Sequence, residues 1–166
     1  MARIDPATVF RMVSVMLDGL DTLGASGGSL RVVQLGEPEP SDVDAWCRII
    51  GYTLAFDKRQ RAGVGSAEEA DTGSFQFRIA VFTTQAKTKP GCISTAAALV
   101  SATFDEVTTR DAEETTDANR HQLDFQRPTI EVNDDPGEER GNRSALVTVN
   151  GKVFRKSGTS SLDFLT

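Results

Sequence analysis

From Val9 onward, apolar residues recur about one helical turn apart: Val9, Phe10, Val13, Met16, Leu17 and Leu20 form one stripe with polar residues between them. That period belongs to an amphipathic α-helix. Asp5 followed by Pro6 supplies its start, an N-cap and then a proline where the missing N–H costs nothing. The helix is expected to end near Leu23-Gly24, with Gly24 free to turn left-handed, and the Ser- and Gly-rich residues 25–29 follow as a flexible joint. A short strand over 30–35 comes next, stopped by Gly36, Pro38 and Pro40. Ser41, Asp42 and Asp44 could cap a short helix. Ile49, Ile50, Tyr52, Leu54 and Phe56 are β-prone, however, so a strand over 49–56 is the expectation.

Phe75, Phe77, Ile79 and Val81 alternate with Gln76 and Arg78, which predicts a strand over 74–84 with its apolar face inward. Ala80 and Phe82 then fall on the outer face, as if the far half of this strand were covered on both sides. Residues 57–73 between these strands are polar and glycine-bearing, and read as the mobile tip of a long hairpin. A second helix is expected over 92–108, with Ile93, Ala96, Ala97, Val100, Phe104 and Val107 on one stripe and alanines that permit close packing on a sheet. Residues 108–119 read as an acidic, threonine-rich connection. Leu123 and Phe125 alternate with polar neighbours, and Ile130 and Val132 follow Pro128, the mark of an edge strand or a bulge. Residues 133–143 read as a second mobile loop. Asn150-Gly151, flanked by alternating residues 145–149 and 152–155, predicts a two-residue hairpin turn, and 157–166 a flexible tail. The whole order predicts a single α+β domain over 1–166, a mostly antiparallel sheet carrying two helices and a long β-hairpin loop.

Composition agrees with a core built on strands. Phe supplies nine of the eleven aromatics, and 39 % of the chain is hydrophobic. The net charge of −6 is unevenly spread: residues 105–140 hold twelve acids and four bases, a balance of −8, which leaves the remainder at +2. Clustered Lys and Arg are what phosphate contacts demand, so this is not the pattern of a general DNA binder. Cys47 and Cys92 lack CxxC partners and read as reduced, buried thiols. Met1 to Asp5 lacks the apolar region of a signal peptide, and no apolar run approaches the roughly 20 residues that span a bilayer, so the expectation is a cytoplasmic chain without a membrane.

Nothing in the pattern assembles a reaction centre. The single histidine, His121, has no nucleophile or carboxylate fixed beside it and reads as an ordinary surface residue. Asp134, Asp135, Glu138 and Glu139 lack the order of a calcium loop and read as a solvated acidic turn. Gly63-Val64-Gly65 is followed by no GK[ST], so it is not a phosphate loop. No catalytic, cofactor or metal residue is therefore expected. Lys58, Arg59 and Arg61 form the compact basic group of the chain, either a solvated hairpin tip or a tip that docks on an acidic neighbour.

This order of elements resembles that of phage tail terminator proteins, which form a ring between the tail tube and the neck of long-tailed phages. In that family an N-terminal helix precedes a β-sheet, and a second helix lies across the sheet after the third strand. Here residues 6–23 match the first helix, 30–84 the strands with their long hairpin, and 92–108 the second helix. The likeness is one of architecture and chain size over about the first two-thirds, while residues 110–143 are longer and more acidic than the family's plainer members. The resemblance implies a virion structural protein, assembled in the host cytoplasm, that forms a homohexameric ring. It implies contact with tail-tube and neck or connector proteins, head–tail joining, DNA passing through the lumen without specific binding, no cofactor and no catalysis. On that reading Lys58, Arg59 and Arg61 sit at an interface with a neighbouring subunit. Asp111, Glu113, Glu114, Asp117, Asp134, Asp135, Glu138 and Glu139 then line exposed or lumen surfaces. The alternatives are a capsid decoration protein, a tail-tube protein, or a small cytosolic enzyme or ligand binder that uses His121.

Overall fold

The computed structural model describes residues 4–22, 28–57, 60–61, 69–83, 92–105, 107–110, 119–133 and 144–157. It is an α+β fold, a mostly antiparallel sheet with two helices on one face. The first helix, α1 (Pro6–Asp18), begins as its cap dictates: the Asp5 carboxylate accepts the Ala7 N–H at 3.1 Å and the Thr8 hydroxyl at 2.7 Å. It ends five residues earlier than the periodicity suggested. Gly19 caps it in an ordinary right-handed conformation, its N–H bonded to the Leu17 carbonyl, and by Thr22 the chain already bridges to Ser29. Leu20 keeps its expected inward role, half-buried against the core, without being helical. Leu23 and Gly24 lie outside the described residues.

Strand β1 (Leu30–Val32) runs parallel to β2 (Ala45–Phe56), the one parallel pair among the described strands. The dozen residues between them make the crossover that a parallel pair needs. Asp44 does not open a helix; its carboxylate accepts the Ser29 N–H (2.8 Å) and hydroxyl (3.1 Å), tying the start of β2 to the start of β1. With Asp44 so used, β2 begins at Ala45, four residues before the expected Ile49. β1 in turn is shorter than 30–35, because Gln34 and Glu37 bond each other around a turn through Gly36, at φ +91°.

The long hairpin is present. β2 pairs antiparallel with β4 (Glu69–Thr83), and β3 (Gln60–Arg61) extends the pairing, so strand occupies parts of the loop expected over 57–73. A bulge at Ile50 shifts the register, which keeps Ile49 and Tyr52 on the same face. The second helix, α2 (Cys92–Thr103), also stops short of its expected end at 108. The Phe104 N–H closes on the Ser101 carbonyl, and Val107, Thr108 and Thr109 are β-branched and leave the helix for a strand, β5 (Thr108–Arg110). β5 pairs with β6 (Asn119–Phe125), so the connection read over 108–119 is partly sheet.

The largest departure is β8 (Ser144–Ser157). Asn150-Gly151 is no turn: the chain runs straight through it as one long strand, between β4 on one side and β6 and β7 (Thr129–Asn133) on the other. Glycine is required there for room. A Cβ at 151 would collide with the Phe75 ring and the Asp124 carbonyl. The strand also runs into the expected tail, as far as Ser157. Gln126 to Pro128 form a bulge between β6 and β7, as Pro128 suggested, where the Gln126 N–H reaches the Asn150 carbonyl at 2.9 Å. The sheet order is β1-β2-β4-β8-β6-β5, with β7 beside the first half of β8.

Both helices cover the same sheet face. Val9, Val13 and Leu17 of α1, with Ile93, Ala96, Ala97 and Val100 of α2, bury Phe75, Phe77, Ile79, Val81, Val147, Val149, Val153, Leu123 and Phe125. Rings run through this core: Phe10 lies 6.0 Å from Tyr52, Tyr52 stacks on Phe77 at 4.4 Å, Phe75 meets Phe77 and Phe125 edge to face, and Phe104 lies tilted 5.3 Å from Phe125. Among the described residues, no helix is long and apolar enough to cross a membrane.

Candidate interaction surface

His121 is not a surface residue. On β6 it is 3 % exposed, and its Nε2 accepts the backbone N–H of Asp5 at 3.1 Å. One residue earlier, the Ile4 N–H donates to Asp71 of β4 at 2.9 Å. Between Asp71 and His121 stands Arg155 of β8, paired with both in a single row across three strands. The row anchors the chain at the start of α1 to the sheet. Both acceptors point at backbone N–H groups, which is what tying that segment down requires. The Thr8 hydroxyl, the main cause, holds the Asp5 carboxyl below its ordinary value. Burial, helped by the Asp5 charge, pushes the Tyr52 hydroxyl up to about 12. Burial first and the Asp18 carboxylate second push the Cys47 thiol up to about 12, so it stays protonated and unreactive at neutral pH. Cys47 is buried and free, as expected; the Cys92 side chain lies outside the described residues. Among the described residues, no cluster of His, Cys, Asp and Glu could hold a metal ion.

The residues singled out from the sequence fall mostly beyond view. Lys58 and Arg59 lie outside the described residues, as do Asp111, Glu113, Glu114, Asp117, Asp134, Asp135, Glu138 and Glu139. The backbone of Arg61 is in β3, opposite Glu69.

A second basic group emerges instead from positions far apart in the chain. Pairing places Arg31 opposite Trp46, Arg48 opposite Ala80 and Arg78 opposite Gly51, all on the sheet face that the helices do not cover. Gln76 and Arg78 point outward there, as the alternation predicted. Trp46 stacks on Phe82 at 4.3 Å, and the Arg48 guanidinium lies 5.3 Å from the centre of the indole. Trp46 is only 4 % exposed, so its ring is not offered to a ligand. Gly51 leaves space into which the Arg78 stem settles, its Cδ 3.6 Å from where a Cβ would stand. The alternation of β4 could have marked Arg78 as outward. Nothing local could have shown that Arg31 and Arg48 share its corner, because that follows from strand order.

The sheet margins complete the surface. β1 covers only the first three residues of β2, so among the described residues 48–56 has no strand on its outer side. Ile50 (48 % exposed) and Phe56 (57 %) stand on that stretch. On the far side, among the described residues, β7 pairs only with β8, and Ile130 and Val132 (43 %) are exposed along it. In comparisons with known proteins, no family model matches this chain and no curated protein is similar to it in sequence.

Proposed function

We propose that this chain is a virion structural protein, a tail terminator whose copies close into a ring that caps the tail tube and joins it to the neck. DNA passes through the lumen without being held, and the protein acts by subunit packing rather than by catalysis. The observation that carries the reading is the pair of open sheet margins. Exposed strand edges invite pairing, and soluble proteins blunt them with charge, proline or cover. Here the edges carry Ile50 and Phe56 on one side of the sheet and Ile130 and Val132 on the other. Two different margins suit a head-to-tail contact, β2 of one copy against β7 of the next. Repetition of such a contact gives a ring when the rotation closes. The order of elements adds support: a first helix, a long hairpin from β2 to β4, then a second helix on the sheet.

Light scattering on the size-fractionated protein, with negative-stain images of the same fraction, tests the reading. Uniform annuli with a mass that is a whole multiple of the chain are expected, and particles assembled without the protein should carry tails of uncontrolled length. A strict monomer with no ring in assembled particles overturns it, and weakened heads with normal tails would point to a decoration protein instead.

A further inference from the structure

We propose that α1 takes part in the contact between copies: Ile130 and Val132 on β7 of one copy pack against Phe10, Tyr52 and Leu54 of the next, while Glu131 turns to the opposite face and meets Arg78. This rests on the ring reading and names the face and register of its contact. Parity carries the first half. Tyr52 and Leu54 stand opposite Phe77 and Phe75, and Ile130 and Val132 opposite Val147 and Ala145. Those four partners are buried in the core, so all of these side chains point to the face that the helices cover. The cover gives out towards both margins. Tyr52 and Leu54 are only half-buried against the core, and Ile130 and Val132 are 41 % and 43 % exposed. Phe10 of α1 lies 6.0 Å from Tyr52 and 6.2 Å from Phe77, ring centre to ring centre, yet is still exposed. It stands as an apolar wall beside the margin of β2.

Polarity and charge carry the second half. The pairs β2 with β4, β4 with β8 and β8 with β7 are all antiparallel, so β2 and β7 run in opposite directions within a copy. A neighbour related by a ring axis along the strands therefore brings its β7 antiparallel to β2. Among the described residues no strand pairs with the outer side of 51–55, a stretch that matches the five residues of β7. Directly opposed residues of an antiparallel pair share a face, so the apolar side chains meet only in registers that send Glu131 to the open face. Arg78 is exposed on that face, opposite Gly51. Its Cδ lies 3.6 Å from where a Gly51 Cβ would stand, so the stem lies over β2, at the margin. Pairing Val132 with Tyr52 and Ile130 with Leu54 sets Glu131 opposite Thr53. That is one diagonal from Gly51, about 7 Å and within reach of a long side chain. A slip of one residue would bury Glu131 among the rings and turn Ile130 and Val132 to the polar face, so the register is strongly specified.

Exchange of the two charges and truncation of the helix wall test this. Ring dissociation is measured by sedimentation, with circular dichroism confirming each fold. Arg78→Glu and Glu131→Arg should each weaken association by roughly tenfold or more. Both in one chain should restore it, because the attraction is rebuilt with the signs exchanged. Phe10→Ala should weaken association about as much as Val132→Ala does, since the two side chains meet across the boundary. Rings that persist unchanged in the charge variants sink the inference and leave the ring reading standing, as does a doubly exchanged chain no better than either alone. Unchanged association of a folded Phe10→Ala chain removes α1 from the contact and overturns it as well. A wild-type chain that stays monomeric at every concentration ends both.

Discussion

Phe75 crosses from β4 over β8 at the one place where β8 has no side chain. Gly151 sits directly opposite it in the ladder, and on the other side faces Phe125 of β6. The Phe75 ring and the Asp124 carbonyl fill the space where a Cβ would go. Gly151→Ala should therefore lower unfolding free energy by about 1–3 kcal/mol, the usual cost of forcing atoms into a filled core. A hairpin turn at the same position would predict a loss through positive φ and no dependence on Phe75. Urea unfolding of Gly151→Ala alone and combined with Phe75→Leu separates the two, since the smaller side chain should recover part of the loss. Tyr52 makes a contrasting case. Its ring stacks on Phe77, but its buried hydroxyl has no hydrogen-bond partner among the described residues. Tyr52→Phe keeps the stacking and removes an unsatisfied group, so it should be neutral or stabilising by about 1 kcal/mol at pH 7. The sign at high pH follows from the raised value. Stability from the protonated tyrosine is complete below its ordinary value of 10.0 and is lost as pH climbs towards about 12. Above pH 10 the advantage of Tyr52→Phe over wild type should accordingly widen, and a constant difference across that range would refute the cause assigned.

The first helix owes its position to two acceptors on the sheet, one of which no inspection of neighbouring residues could have found. His121 and Asp5 stand 116 positions apart, and the histidine is hidden because a backbone N–H comes to meet it. His121→Ala should cost about 2–4 kcal/mol, by leaving a cavity and an unpaired N–H together, and should speed hydrogen exchange in the first turn of α1. Wild-type exchange rates there would show that the helix is anchored elsewhere. Asp5→Asn keeps the cap but removes the charge. The carboxyl is depressed, so its contribution is present above the ordinary value of 3.8 and lost as pH falls through the lower folded value. Wild type should lose stability relative to Asp5→Asn below about pH 4, and a pH-independent difference would contradict the Thr8 bond as its cause. What could be read from pattern alone were periods: the Val9, Val13, Leu17 stripe and the Phe75, Phe77, Ile79, Val81 face both bury as expected. What could not be read were meetings between distant residues. Asn150-Gly151 looks locally like a turn and is a strand because Phe75 needs the space; helix α2 ends early because Val107 is taken into the neighbourhood of β6, whose Phe125 N–H bonds its carbonyl. The arginine corner is spread over positions 31, 48 and 78, and only the strand order makes it one place.

At the scale of the whole molecule, the sheet buries one face under two helices and leaves two margins of unequal character. An edge strand with exposed apolar side chains is tolerated in a chain meant to pair, and is an aggregation hazard in one meant to stay alone. The two possibilities respond oppositely to charge. Ile50→Lys and Phe56→Lys alter side chains about half exposed and outside the core cluster, so the fold should survive with a change of less than about 1 kcal/mol. If β2 is a working interface, the doubly substituted chain should be a folded monomer under conditions where wild type forms rings. Val132→Lys on the opposite margin should do the same, because a head-to-tail contact fails when either side is blocked. The decisive measurement mixes the two blocked variants. Each retains one intact margin, the Ile50/Phe56 variant its β7 edge and the Val132 variant its β2 edge, so an equimolar mixture should give dimers and stop there. Rings formed by either variant alone would show that the margins are not the interface, and a mixture that stays monomeric would show that they do not meet each other.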